Sequence, residues 1–398
     1  MWPDGAAGDA GISVAPARPP GTWPAEFVRD PVDREALLVL AHLEAMTPGD
    51  LHLLALREGT AERCLAAVRT GRASTDGDRA IAGEVDPAAV REELDASEAR
   101  AVCPGDAEYP AALLDLHDPP ACLFVRGTPV AGGPPAVAIV GARRCTPYGR
   151  EVAEAFGAGL AAAGLVVVSG AARGIDAAAH VGALRAAGRT TAVLGSGIDT
   201  AYPRGNRDLI DRISASGTVV SEYPPGVEAR PRRFPARNRI VAALSRGVMV
   251  VEGAEGSGSL ITAEFAEDLH REVMAVPGPI TGPLSVAPNE LIRDGAALVT
   301  SVRDVLAAMG VEGGSGGSGS GSPGSASPDP PAGLTEEEND VLAGLPGSPV
   351  TLDAVAATSG LDAGRALQAL AALELRGLVS SEGGRYRRAG LDGRGSEV

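Results

Sequence analysis

The stretch from Phe234 to Thr262, FPARNRIVAALSRGVMVVEGAEGSGSLIT, gathers the residue types that bind anions. Arg230 to Arg246 carries six arginines and no acid. An apolar run follows, Gly247 to Glu252, then Gly256-Ser257-Gly258-Ser259, then an apolar-periodic segment from Leu260 to His270. A strand that ends in a Gly/Ser turn and feeds a helix offers backbone N–H groups at a positive dipole end, which suits a phosphate. Ser257, Gly258 and Ser259 are the expected nest, and Phe234, Arg237, Asn238 and Arg239 are expected beside it. Phe234 reads two ways: a platform on which a base stacks, or a core anchor for the helix opened by Pro235.

Three earlier turns repeat the pairing of glycine with arginine. In VGARRCTPYG (Val140 to Gly149), a dinucleotide site would need glycine two positions after Gly141, so that the pyrophosphate could approach the backbone. Arg143 stands there, so no nicotinamide or flavin cofactor is expected. Arg143 and Arg144 instead fall at the carboxyl end of a strand, where open α/β sheets bind ligands. In VSGAARGIDAAAH, Ser169, Gly170, Arg173 and Gly174 offer a close-approach backbone and a cation. Asp176 and His180 lie one helical turn apart, as an acid–base pair or a structural hydrogen bond. No nucleophile accompanies them, so no catalytic residue is expected. In LGSGIDTAYPRGN, Gly195 and Gly197 allow a sharp turn that directs Arg204 and Asn206 to the same rim. Together these turns describe an edge that holds the phosphates of a nucleic acid.

The elements that must position these turns can be read from periodicity. Strands are predicted at Val137–Ala142, Leu165–Gly170, Thr190–Gly195, Thr218–Ser221, Val248–Glu252, Glu272–Val276 and Ala297–Thr300. Helices fill the gaps at Tyr148–Ala163, Asp176–Ala187, Asn206–Ser214, Pro235–Leu244, Leu260–His270 and Asn289–Arg293, and before the first strand Ala101 to Gly127 reads as extended pieces around a short helix. Apolar strands with helical crossovers give an α/β class: a doubly wound parallel sheet covered on both faces. Residues 1–30 are Pro/Gly/Ala-rich and expected to be disordered. Residues 31–98 form a small helical domain suited to structural or protein-contact roles, and 99–310 the sheet domain. Residues 311–333 are a Gly/Ser/Pro linker, and 334–390 are three helices and a hairpin, a winged helix. Its third helix carries only Arg365 and Arg376, which favours protein contact or regulation over duplex reading.

The net charge of −16 argues against nucleic acid only when averaged. Residues 1–98 carry −9, 99–310 carry −1 and 311–398 carry −6, so the acid lies in the flanks. A local patch sets the field at a groove. Every basic side chain is arginine, which can meet phosphate with two hydrogen bonds. Cys64, Cys103, Cys122 and Cys145 show no paired spacing and read as core thiols in a reducing compartment, with no metal site. No leader or bilayer-length apolar run is evident, so a cytoplasmic protein is expected.

The strings YPAALL, PPACLFVRG, VAIVGARRCTPYG, VSGAARGIDAAAHVGAL, AVLGSGIDTAYPRGN, FPARNRIVAALS, VVEGAEGSGSLITAEFA and AVPGPI resemble the DNA-processing protein DprA (Smf) family from about Tyr109 to Ala297. One departure is Ala287, where glycine is common. The resemblance implies an extended Rossmann-like domain preceded by a small helical, SAM-like domain and followed by a winged helix. It implies cooperative binding of single-stranded DNA, a homodimer through the Rossmann-like domain, and loading of the recombinase RecA onto incoming DNA in natural transformation. Two other functions compete. A Rossmann-like nucleotide phosphoribohydrolase would need a glutamate where Thr262 stands. A duplex-binding regulator would act through the winged helix.

Overall fold

The computed structural model describes residues 22–311, 334–345, 350–376, 378–382 and 384–388. The chain divides into two compact units, residues 1–314 and 315–398.

The first unit opens with α1 (Pro31–Leu40), α2 (Pro48–Glu58), α3 (Ala61–Arg69), α4 (Asp76–Glu84) and α5 (Pro87–Ala96). Each is capped by Asp or Thr, and α1, α2 and α5 carry proline in the first turn, where its missing N–H costs nothing. Several acids of this region serve its backbone. Buried Asp78 accepts the N–H groups of Glu44, Ala45 and Met46 at 2.9–3.0 Å and fixes the turn before α2. Of the stretch expected to be disordered, residues 1–21 lie outside the described residues, while Phe27 is fully buried and stacks on Trp23. The helical region lies in the same compact unit as the sheet. Phe27, Leu37 and Val68 share one core with Phe124, Leu194 and Ile213 of the sheet region, so the two fold as one body.

The sheet has nine strands: β1 (Ala99–Val102), β2 (Leu123–Gly127), β3 (Ala136–Val140), β4 (Val166–Ser169), β5 (Thr190–Leu194), β6 (Thr218–Ser221), β7 (Gly247–Val250), β8 (Glu272–Ala275) and β9 (Ala297–Leu298). Their order is β1-β2-β6-β5-β4-β3-β7-β8-β9. All pairs from β6 to β9 are parallel, whereas β1–β2 and β2–β6 are antiparallel. The helices are α6 (Pro147–Ala162), α7 (Ile175–Arg185), α8 (Arg207–Ser216), α9 (Arg233–Ala243), α10 (Gly258–Asp268), α11 (Val286–Arg293) and α12 (Val302–Ala308). Strand order reverses between β3 and β7, which places a topological switch point between their carboxyl ends. The strands are β-branched and buried on both faces: Val137, Ile139, Val167, Val248 and Met249 are fully enclosed. The extended pieces expected between Ala101 and Gly127 are β1 and β2, paired antiparallel on either side of a short helical turn at Ala111–Asp115, whereas the short α12, begun by a Ser301–Asp304 capping box, goes beyond the expected elements. Cys64, Cys103 and Cys122 are buried free thiols, as core residues should be, whereas Cys145 is only half-buried.

The second unit holds α13 (Glu336–Gly344), β10 (Val350–Thr351), α14 (Leu352–Ser359), α15 (Ala363–Leu375), β11 (Val379–Glu382) and β12 (Arg385–Arg388). Thr335 and Glu338 form the expected capping box, and the strands pair β10-β12-β11 as the wing. Val341, Val355, Leu370 and Leu373 make the core. The linker expected at 311–333 lies, apart from Val311, outside the described residues.

Candidate nucleic-acid interface

The turns after β3, β4, β5 and β7 meet at the carboxyl edge of the sheet. The turn after β3 leads to α6, whose N-cap is Thr146. Glu252, just past β7, lays its buried carboxylate on that helix start. It accepts the Thr146 N–H at 2.9 Å and the Thr146 hydroxyl. A positive helix end that could take a pyrophosphate is thus held by the protein's own acid. Arg143 and Arg144 stay exposed on the same turn.

The turn after β4 divides into surface and interior. Arg173 is exposed. Ser169 is fully buried and donates to the Ile139 carbonyl at 2.7 Å, which removes it from the rim. Gly174 has φ 80°, and a Cβ there would lie 2.2 Å from the Ala142 carbonyl oxygen, so only glycine lets this turn cross the one after β3. Gly170 is pressed against the Arg237 guanidinium, where a Cβ would approach within 2.4 Å.

Arg237 is therefore inside, 4% exposed. It donates to the Gly170 carbonyl at 2.7 Å, to the Val193 carbonyl and to Asn238 Oδ1 at 3.2 Å. Burial pulls its pKa down to about 10, with Asp176 opposing, so it remains protonated near neutrality. Arg239 is 3% exposed and paired with Asp118 at 3.0 Å and, through one nitrogen, with both oxygens of Glu222 at 2.8 and 3.0 Å. These two arginines, expected on the rim, pin strand ends and loops together because α9 is enclosed on most of its circumference. Asp176 accepts the N–H groups of Gly170 at 3.1 Å and Ala172 at 3.4 Å, and burial raises its pKa. His180 is fully buried on Thr190 Oγ1 at 2.7 Å, and burial lowers its pKa to about 3. The two act through separate structural bonds and form no catalytic pair.

Asn206 also works within the scaffold: its amide donates to the Ala171 and Ala172 carbonyls at 2.9 and 3.3 Å and fastens the turn after β5 onto the turn after β4. Arg204 beside it is exposed. Phe234 is half-buried, 5.1 Å from the Tyr202 ring, with the Arg143 guanidinium 5.2 Å from its centroid. Tyr202, 47% exposed, was not foreseen. Its position two residues before Arg204 in a Gly-rich turn was the available sign. Arg230 pairs with Glu44 at 2.7 Å, which spends part of the arginine-rich segment on the helical region.

At the turn after β7, Ser257 is the N-cap of α10, yet no side chain caps that helix. Asn238 donates to the Gly258 carbonyl at 3.1 Å and ties α9 to this turn. The Ser257 and Ser259 hydroxyls lie 2.6 Å apart. Gly258 is exposed with open space where a Cβ would stand, so a side chain there would not crowd the turn. The exposed cations of the edge are Arg143, Arg144, Arg173 and Arg204, set around an uncapped helix start and an aromatic pair. Among the described residues, no group of side chains is arranged to hold a metal, and no helix is long and apolar enough to cross a membrane.

Two family models match: DNA recombination-mediator protein A over residues 100–310 and the DprA winged helix domain over residues 325–385. A DprA-type relative from Mycobacterium tuberculosis is 44% identical over 263 residues, covering 65% of this chain and 66% of its own length. The DNA processing protein DprA of Streptococcus pneumoniae is 47% identical over 199 residues, 50% of this chain and 70% of that protein. The X-ray structure of DNA processing protein A from Streptococcus pneumoniae superposes with a TM-score of 0.56 at 37% identity, covering 69% of this chain and 97% of that one.

Proposed function

The chain belongs to the DNA recombination-mediator protein A family, DprA or Smf, and on that premise we propose that its carboxyl edge binds the backbone of single-stranded DNA. The observation that carries this reading is the convergence of Arg143, Arg173 and Arg204 on one edge with the uncapped start of α10. Arginines supply charge, and helix N–H groups supply directed donors to phosphate oxygens. The Tyr202–Phe234 pair supplies a sequence-tolerant surface for a base. The bound strand is protected and handed to the recombinase RecA during natural transformation or recombination, by a cytoplasmic homodimer built on the sheet unit. The family's name as a recombination mediator supports the handover.

The protein acts without catalysis. In the competing phosphoribohydrolase reading, the position that needs a glutamate holds Thr262, which is buried and carries no acid. The test is competition between single-stranded and duplex DNA of random sequence across a salt series. Single strands should win, with the logarithm of the affinity falling linearly in log salt. Preference for duplex, or release of a free base from a nucleoside monophosphate, would overturn the proposal.

A further inference from the structure

Ile280 is 96% exposed, the most exposed large apolar side chain among the described residues. It stands on a turn whose geometry is fixed from both ends. Gly282 N–H donates to the Pro279 carbonyl at 2.8 Å, and Ser285 N–H to the Gly282 carbonyl at 3.0 Å. Asn289 clamps Gly278 through both its amide groups, at 3.1 and 3.0 Å. Pro277, Pro279 and Pro283 restrict the backbone further. The turn is joined to the anion-binding edge: Gly253 N–H donates to the Leu284 carbonyl at 2.7 Å, and Ala287 N–H to the Gly253 carbonyl at 3.0 Å. A Cβ on Gly253 would lie 2.7 and 2.9 Å from the Ser257 and Ser259 hydroxyls, so this loop borders the start of α10.

We propose that Ile280 is a base-contacting wedge: with a phosphate at Ser257–Ser259, its side chain packs on the adjoining nucleobase. This rests on the single-strand reading above. An aliphatic side chain between bases removes apolar surface of both from water and is indifferent to sequence. The rigid turn brings it to the base with little ordering to lose. The backbone tie through Leu284 and Gly253 to the start of α10 favours a nucleic acid over a protein partner here.

The test replaces one exposed side chain. Ile280→Ser should weaken binding to oligothymidylate several-fold, leave the salt slope unchanged, and bind an abasic oligonucleotide as the wild type does. Ile280→Trp should show tryptophan quenching on adding oligothymidylate, beyond that of the wild type with its two native tryptophans. Wild-type affinity in Ile280→Ser, or no added quenching in an Ile280→Trp that still binds, would overturn the wedge while single-strand binding stands. A changed oligomeric state in Ile280→Ser with unchanged affinity would assign the turn to a second copy and also overturn it. If the wild type itself binds no single strand, the underlying reading fails first.

Discussion

Arg237 and Arg143 are both arginines near glycine turns, yet the structure gives them opposite work. Arg237 donates to two carbonyls inside the edge, and Arg143 faces solvent over Phe234. Removing a buried charge leaves its partners unpaired, so Arg237→Ala should cost about 3–5 kcal/mol of stability, read by denaturant unfolding. Arg143→Ala should leave unfolding unchanged and flatten the log–log salt slope of single-strand binding by about 0.7. The difference was legible in the helix phase. Arg237 precedes Val241 by four residues and Arg239 precedes Ala243 by four, which puts both on faces that apolar neighbours mark as inward. The density of arginines in Arg230–Arg246 masks that period. At the turn after β7, Ser257→Ala with Ser259→Ala should lose much of the affinity, since hydrogen bonds to a charged group contribute roughly 1.5–3 kcal/mol each. Gly258→Asp should lose more by charge repulsion while folding normally, because nothing crowds that position. Circular dichroism together with a binding titration checks both.

Among the elements, α7 has a measurable consequence for pH. An unfolded histidine takes a proton near 6.5, whereas buried His180 resists until about 3. Between those values the unfolded chain binds more protons. Stability therefore falls as pH drops through that window, by up to about 1.4 kcal/mol per unit. His180→Gln should show a shallower acid limb in unfolding measured from pH 7 to 4. An unaltered limb would mean that other groups set it. The parallel strands and their crossover helices were legible because both faces are covered, so their sequences run apolar without a break, as in Val166–Ser169 and Gly247–Val250. Of β1 and β2 the extended backbone was legible, but not their antiparallel pairing. β1 is four residues with a half-buried middle, and Ala99–Val102 pairs with Leu123–Arg126 across a stretch broken by Pro110, Pro119 and Pro120. Helix α12 encloses little beyond Val305, too little to leave a period.

For the whole molecule, the shared core of helical region and sheet decides where the chain can be cut. Residues 22–311 should unfold in one cooperative transition and bind single strands without residues 334–398. A fragment starting at residue 99 would bare Phe124, Leu194 and Ile213 and should aggregate or lose its sharp melt. Loss of binding on removing 334–398 would instead make the winged helix part of the DNA site. The helical sequence shows its own period but not what that face packs against, so the core it shares with the sheet is not legible there. The seat of Glu252 on α6 has a consequence for the cell at large. Adenine nucleotides and redox carriers find the usual cradle of such a sheet already filled by a resident carboxylate. Binding of a DNA strand at this edge, as proposed, should then be independent of nucleotide concentration. Adding ATP or NAD to a binding titration should leave the curve where it was.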